Sequence, residues 1–197
     1  LVGKFNASNL LAVFSVANIA GIKSIEILRI LSQTEGIKGR FEILKAPNNA
    51  FVIIDYAHTP NSLKNVIDTI SQIRTKNELF TTIIGCGGNR DLGKRSKMGE
   101  IVLNGSDKVI FTSDNPRDEA PAQIISEMML GVEAQNFKKI SKITLREEAI
   151  TTAGKLAKKG DIVLIAGKGH ETYQEIKGKR YHFNDLEVAQ KIFLKTN

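Results

Sequence analysis

The stretch LFTTIIGCGGNRD, residues 79–91, decides how the rest of the chain is read. Its first part, Leu79 to Cys86, is apolar and rich in β-branched side chains, which predicts a strand buried on both faces. Its second part, GCGGNRD (85–91), breaks that strand with three glycines and then offers Arg90. Glycines let backbone N–H groups come close to a ligand, so this is either a binding loop or a plain turn with Arg90 in solvent.

Working outward, the same figure recurs: an apolar run, then a loop of glycine or ionisable groups. It is seen in VIIDYAH, in VIFTSDNPR and in DIVLIAGKGHE. Helical spacing fills the gaps, in PNSLKNVIDTISQIRT opening on Pro60, SKMGEIVLNG, APAQIISEMMLG and LREEAITTAGKLA. GRFEILKAPNNAFVIIDYA reads as two strands joined around APNN, KKIS as a short connecting piece, TYQEIKGKRYHFND as a polar hairpin, and DLEVAQKIFLK as a last helix starting at Asp185. This alternation predicts an α/β fold with a Rossmann-like, mostly parallel sheet and helices on both faces. In such sheets ligands bind beyond the carboxyl ends of the strands, so DYAH, GCGGNRD, TSDNPR and AGKGHE are the candidate binding loops.

Upstream, SNLLAVFSVANIAG and SIEILRILSQ have helical spacing, with Ser8 and Ser24 as expected N-caps and Gly21 ending the first helix. A boundary is expected between Gly36 and Gly39. The residues before it are too few for a domain and read as the end of an element that begins outside this chain.

The totals narrow the classes. At 197 residues, 42% hydrophobic and 25% charged, the chain suits one globular domain with a helical appendage. No apolar run reaches the roughly 18–20 residues of a bilayer span, and LVGKFNASN has no signal-peptide character, so no membrane partner is expected. One cysteine, Cys86, excludes an internal disulfide and points to a cytoplasmic protein; beside a strand end it reads as inert. The net charge of +7 permits anionic partners. Its basic residues are scattered through GKRSK, FKKISK, KLAKK and IKGKR with few aromatics between, so most of these lysines read as solvated faces and a nucleic-acid surface is unsupported. His58, His170 and His182 have no metal-ligand spacing, and no Gly-x-Ser-x-Gly elbow is present. Neither glycine loop ends in Gly-Lys-Ser/Thr, so the main phosphate cradle for ATP is not in these residues.

SDNPR carries the most specific chemistry. Asp114, Asn115, Pro116 and Arg117 set a carboxylate, an amide and a fork of guanidinium donors within four residues, which suits an amino acid bearing both an amine and a carboxylate at its far end. After the second strand, Asp55 can accept from ribose hydroxyls, and His58 is either its neighbour at a ligand or a structural histidine.

Taken together in order, GKFNASNLLA, GRFE, DYAHTPNSL, GCGGNRDLGKR, SDNPRDE and AGKGHETYQ resemble the C-terminal part of the Mur ligases, over essentially the whole chain. Within that family the likeness is greatest to the branch that adds the third amino acid to UDP-MurNAc-L-Ala-D-Glu in peptidoglycan synthesis. The resemblance implies an ATP-dependent, Mg²⁺-requiring amide-forming ligase working through an acyl phosphate. It implies that residues 1–36 are the end of the central ATPase domain and that 37–197 are the amino-acid-binding domain. By the same likeness Asn9, with Asn6 beside it, meets the adenine, and Arg40, Asp55 and His58 lie at the nucleotide. Arg90, Asp114, Asn115, Pro116, Arg117, Gly167 and Glu171 bind meso-diaminopimelate, with Arg117 gripping the carboxylate that lysine lacks. No catalytic residue and no metal ligand falls in this stretch, so the chain alone is expected to be an inactive monomer. Asn89 departs from a common Asp, and Asn61-Ser62 from a common Asp-Ala. The alternatives are a lysine-adding ligase, a folylpolyglutamate-type relative, a non-catalytic amino-acid-binding module, and an unrelated nucleotide-binding α/β domain.

Overall fold

The structure is a computed structural model and describes residues 3–130 and 132–194. The chain divides into two compact units, one ending at Ile37 and one starting at Lys38. In the first, helix α1 (Lys4–Ile19) packs on α2 (Ser24–Ser32). Neither serine caps its helix. Gly3, at φ 98°, leaves helical geometry ahead of α1 and puts Ser8 inside the helix, while Lys23 precedes α2 and makes Ser24 its first residue. Gly21, at φ 87°, does end α1.

The second unit is built on a six-stranded sheet of β1 (Glu42–Lys45), β2 (Phe51–Asp55), β3 (Phe80–Ile84), β4 (Lys108–Phe111), β5 (Ile140–Lys142) and β6 (Ile162–Ala166). Their spatial order is β1-β2-β6-β3-β4-β5. β1 and β2 form the expected hairpin, closed by the Ala46 N–H on the Ala50 carbonyl at 2.9 Å, and every other pairing is parallel. The last of these six strands in the chain therefore lies in the middle of the sheet. Ile162 of β6 lies opposite both Phe51 and Phe80, and all five β6 residues are buried, as an uninterrupted apolar run requires.

Helices cover both faces. α3 (Pro60–Ile73), α4 (Gly93–Gly105) and α5 (Pro121–Met128) pack side by side, and α6 (Arg146–Leu156) packs on α7 (Asp185–Phe193). Val52, Ile54, Ile83, Ile110, Val163 and Ile165 meet Ala149, Ile150, Ala153, Ala189 and Phe193 in one core layer. The pleat sends the intervening Ile53, Ile84 and Leu164 to the opposite face. The fold is thus the Rossmann-like α/β class. Two local readings change: α4 starts at Gly93, one turn before Ser96, and KKIS divides between a 3₁₀ turn (Ala134–Lys139) and edge strand β5. A separate hairpin of β7 (Tyr173–Ile176) and β8 (Lys179–His182) follows β6.

Candidate functional site

The loops following β2, β3, β4 and β6 all leave the sheet at its carboxyl edge, because those strands are parallel. They enclose a cleft of about 560 Å³, whose lining includes His58, Arg90, Asp114, Asn115, Arg117, Gly167 and Glu171. Pro116, Arg40 and Asp55 stand outside that lining. Asn9 is exposed on α1, in the other unit.

Glycines bring two loops into direct contact. A Cβ on Gly88 would sit 1.9 Å from the Pro116 carbonyl oxygen, and one on Gly85 would sit 2.5 Å from that of Thr112. Gly88 is therefore needed for loop-to-loop packing, with its N–H donating to the Asn115 carbonyl at 2.9 Å. Pro116 is buried behind the cleft wall and accepts the Glu119 N–H at 3.0 Å. Asn89 adopts φ 52°, a left-handed conformation that asparagine and aspartate tolerate better than most residues, so its departure from aspartate leaves the turn intact.

Arg117 also has φ 52°, and the β7–β8 hairpin holds it there: its N–H donates to the Glu175 carbonyl at 3.0 Å and its carbonyl accepts the Lys177 N–H at 2.8 Å. Its Nη1 donates to the Gly88 carbonyl at 2.8 Å, and its Nε lies 3.3 Å from the Glu175 carboxylate. Nη2 has no partner among the described residues. Arg90 is exposed at the cleft and likewise unpaired among the described residues.

Beneath these groups lies a buried ionic layer. Asp114 is almost wholly buried, and burial pushes its carboxyl above the usual range, against the pull of Arg146 and Lys168. One of its oxygens accepts the Asn115 N–H at 2.6 Å. Arg146 is buried with Asp185 in a two-bond pair, both bonds 2.7 Å, and also donates to the Ala166 carbonyl at 3.0 Å. Lys168 Nζ donates to Asn115 Oδ1 at 3.1 Å and to Glu171 Oε2 at 2.9 Å. Burial pushes the Glu171 carboxyl up, but the Lys168 bond and charge outweigh it and hold it below the usual range.

The expected nucleotide side is assembled differently. Asp55 spends one oxygen on the Phe41 N–H and the other on the Ala57 N–H, both at 2.7 Å, so it shapes the strand exit. Burial raises its carboxyl, with those two backbone donors opposing. His58 Nδ1 lies 2.8 Å from the Tyr56 carbonyl, and the Tyr56 ring is near His58 (4.5 Å), His170 (5.1 Å) and the Arg40 guanidinium (5.7 Å).

Arg95, within the GKRSK cluster, is an interior charge. That guanidinium is fully buried, bonded to Glu119 at 2.7 and 2.9 Å, to Glu127 at 2.6 Å and to the Gly87 carbonyl at 3.1 Å. Glu119 in turn accepts the Asn89 N–H, which ties the glycine loop to the start of α5. Only the helical spacing from Arg95 to the buried Met98 and Val102 hints at this in sequence. Burial pushes the Cys86 thiol up to about 12, which removes its nucleophilic form at neutral pH. Among the described residues no three His, Cys, Asp or Glu side chains gather as a metal site would need. No described helix is long and apolar enough to cross a membrane.

Residues 39–169 match the family described as "Mur ligase, glutamate ligase domain". The chain belongs to the Mur ligase family. Among its relatives, the UDP-N-acetylmuramoyl-L-alanyl-D-glutamate–2,6-diaminopimelate ligase of Bacteroides thetaiotaomicron is 50% identical over 98% of this chain and 40% of its own length. The enzyme of the same name from Bacillus velezensis is 46% identical over 100% of this chain and 39% of its own length. A solved structure of such a ligase superposes with a TM-score of 0.75 at 38% identity, covering 98% of this chain and 39% of that one. This Mur ligase chain therefore spans about 40% of the length of the relatives it matches.

Proposed function

We propose that the chain is the amino-acid-binding part of a cytoplasmic, ATP-dependent ligase that joins meso-diaminopimelate to UDP-MurNAc-L-Ala-D-Glu. The observation that carries this reading is the charge layout of the cleft. Arg90 and the Nη2 of Arg117 offer unpaired guanidinium donors among the described residues, while Glu171, whose Oε1 has no partner among them, lines the same cavity. A ligand with an ammonium and a carboxylate at one end satisfies both signs, and the names of the relatives point to the same substrate. L-lysine carries only the ammonium there and leaves Arg117 unmatched.

On this reading the buried Asp114 and Pro116 shape the loop, Gly167 allows close approach of backbone, and Glu171 receives the ammonium. Arg40 and His58 serve the nucleotide, with Asp55 holding the Phe41 and Ala57 N–H groups beside them, and Asn9 is the nucleotide-binding residue of the first unit. The residues through Ile37 belong to the ATPase part of the enzyme, which suits the exposed apolar Leu11, Val16 and Ile19 of α1. ATP, when bound, supplies activation of the substrate carboxylate. The described residues do not gather a magnesium site.

The test is a titration of the full chain with meso-diaminopimelate and with L-lysine, followed by backbone amide NMR. Selective shifts at residues 88–90, 114, 115, 117 and 167–171 are expected, with binding weakened about tenfold or more in Arg117→Ala from loss of a charge-assisted pair. Equal responses to both amino acids would favour a lysine-adding ligase, and no response to either would overturn the amino-acid site.

A further inference from the structure

Lys168 does not line the cleft, and its side chain is 0% exposed. A buried ammonium is costly unless fully paired, so its surroundings show what it is there to hold. Gly167 and Gly169, at φ 113° and 52°, turn the chain sharply on either side of it. A Cβ on Gly167 would meet the Asp114 carboxylate at 2.8 Å, and one on Gly169 the Gly39 carbonyl oxygen at 2.6 Å. The Glu171 N–H closes a turn on the Lys168 carbonyl at 2.9 Å, which brings the two side chains together. The ammonium then reaches inward below the Tyr173 ring, 5.7 Å from its centroid.

We propose that Lys168 is a positioning residue of the amino-acid site: its ammonium fixes the Asn115 amide and one Glu171 oxygen, and so presents the other Glu171 oxygen to the ligand's ammonium. This rests on the reading of the cleft as an amino-acid site. Asn115 Oδ1 accepts from Lys168 Nζ and from the Glu175 N–H at 2.9 Å, so its Nδ2 must turn to Glu171 Oε2, at 2.9 Å. One oxygen of Glu171 is thereby doubly held and the other has no partner among the described residues. Without Lys168, the next cation acting on Glu171 is Arg117. The two recognition groups would then neutralise each other, and the cleft would lose its positive and negative ends together.

The first test needs no ligand. The groups bearing on Glu171 are Lys168 on its own loop, Asp114, Asn115 and Arg117 after β4, and Arg146 of α6. In the full chain, the ¹³C-carboxyl resonance of Glu171 is expected to titrate below the ordinary glutamate range, and above its wild-type value in Lys168→Met and Lys168→Gln. An ordinary value in the wild-type protein overturns the proposal whether or not the variants fold. So does an unchanged value in folded variants. The second test is the meso-diaminopimelate titration of Lys168→Met, Glu171→Gln and the double variant. Each single change is expected to weaken binding about tenfold or more, and the double change no further, because both act through one contact. Additive losses would place Lys168 outside Glu171's role. If the wild-type chain binds no diaminopimelate, the functional reading fails while the carboxyl titration still judges Lys168.

Discussion

Gly88 shows how one missing methyl sets the distance between two binding loops. The space a Cβ would need is held by backbone, 1.9 Å from the Pro116 oxygen, so neither loop can yield cheaply. Gly88→Ala should therefore lower stability by about 1–3 kcal/mol, the usual cost of forcing atoms into a packed site. Urea unfolding against Gly36→Ala is the check, since nothing lies within 4 Å of a Cβ at Gly36 and that control should stay within about 0.5 kcal/mol of wild type. Equal midpoints for the two variants would mean that the loops separate freely. Arg117 makes a related point: a non-glycine residue at φ 52° persists because the hairpin bonds its N–H and its carbonyl.

At the level of elements, α3 is the best-specified helix. Thr59 accepts the Ser62 N–H at 3.3 Å, Ser62 Oγ accepts the Thr59 N–H at 3.1 Å, and Pro60 fills the first turn. This reciprocal cap both starts the helix and aims the DYAH loop, whose Thr59 lines the cleft. Thr59→Ala is expected to cost about 1 kcal/mol, seen as a lower urea midpoint with an unchanged slope, and Thr59→Ser should restore most of it. A Thr59→Ala protein as stable as wild type would show that packing alone fixes the start of α3. Elements with weaker local signals were harder to bound from sequence. α1 begins after Gly3 rather than after Ser8 because a serine caps only where the backbone leaves helical geometry, and nothing in NASN says where that occurs.

Across the whole molecule, buried and half-buried charges give stability a defined pH response. Arg95 holds the Glu119 carboxyl down at about 2, from an ordinary value of 4.5. A carboxyl lowered in the folded state adds stability that is complete above its unfolded value and is lost as pH falls through the folded one. The Glu119 contribution should thus decline from about pH 4.5 to about pH 2. Asp114 and Asp55, raised by burial, act with the opposite sign and favour the folded state more as pH falls. Comparison of wild type with Glu119→Gln isolates the first effect: the stability gap between them should narrow steadily over that window. A gap independent of pH would show that Glu119 acts only as a neutral hydrogen-bond acceptor.

Local sequence was sufficient for the strand–helix alternation, the β1–β2 hairpin, and the four loops at the carboxyl edge. Those features rest on residue spacing, glycine and proline, all of which act over a few residues. Those loops contain Arg90, Asp114, Asn115, Arg117, Gly167 and Glu171, singled out as a set by the family resemblance, and the fold gathers them at one cleft. Tertiary structure alone decided that β6, the last strand of the six-stranded sheet to appear, lies between β2 and β3, since strand order follows from which faces can be buried together. It alone decided that Arg95, Arg146 and Lys168 are interior cations, because a charge is recognisable as buried only when its distant partners are known: Glu119, Asp185 and Asn115 lie 24, 39 and 53 residues away in sequence.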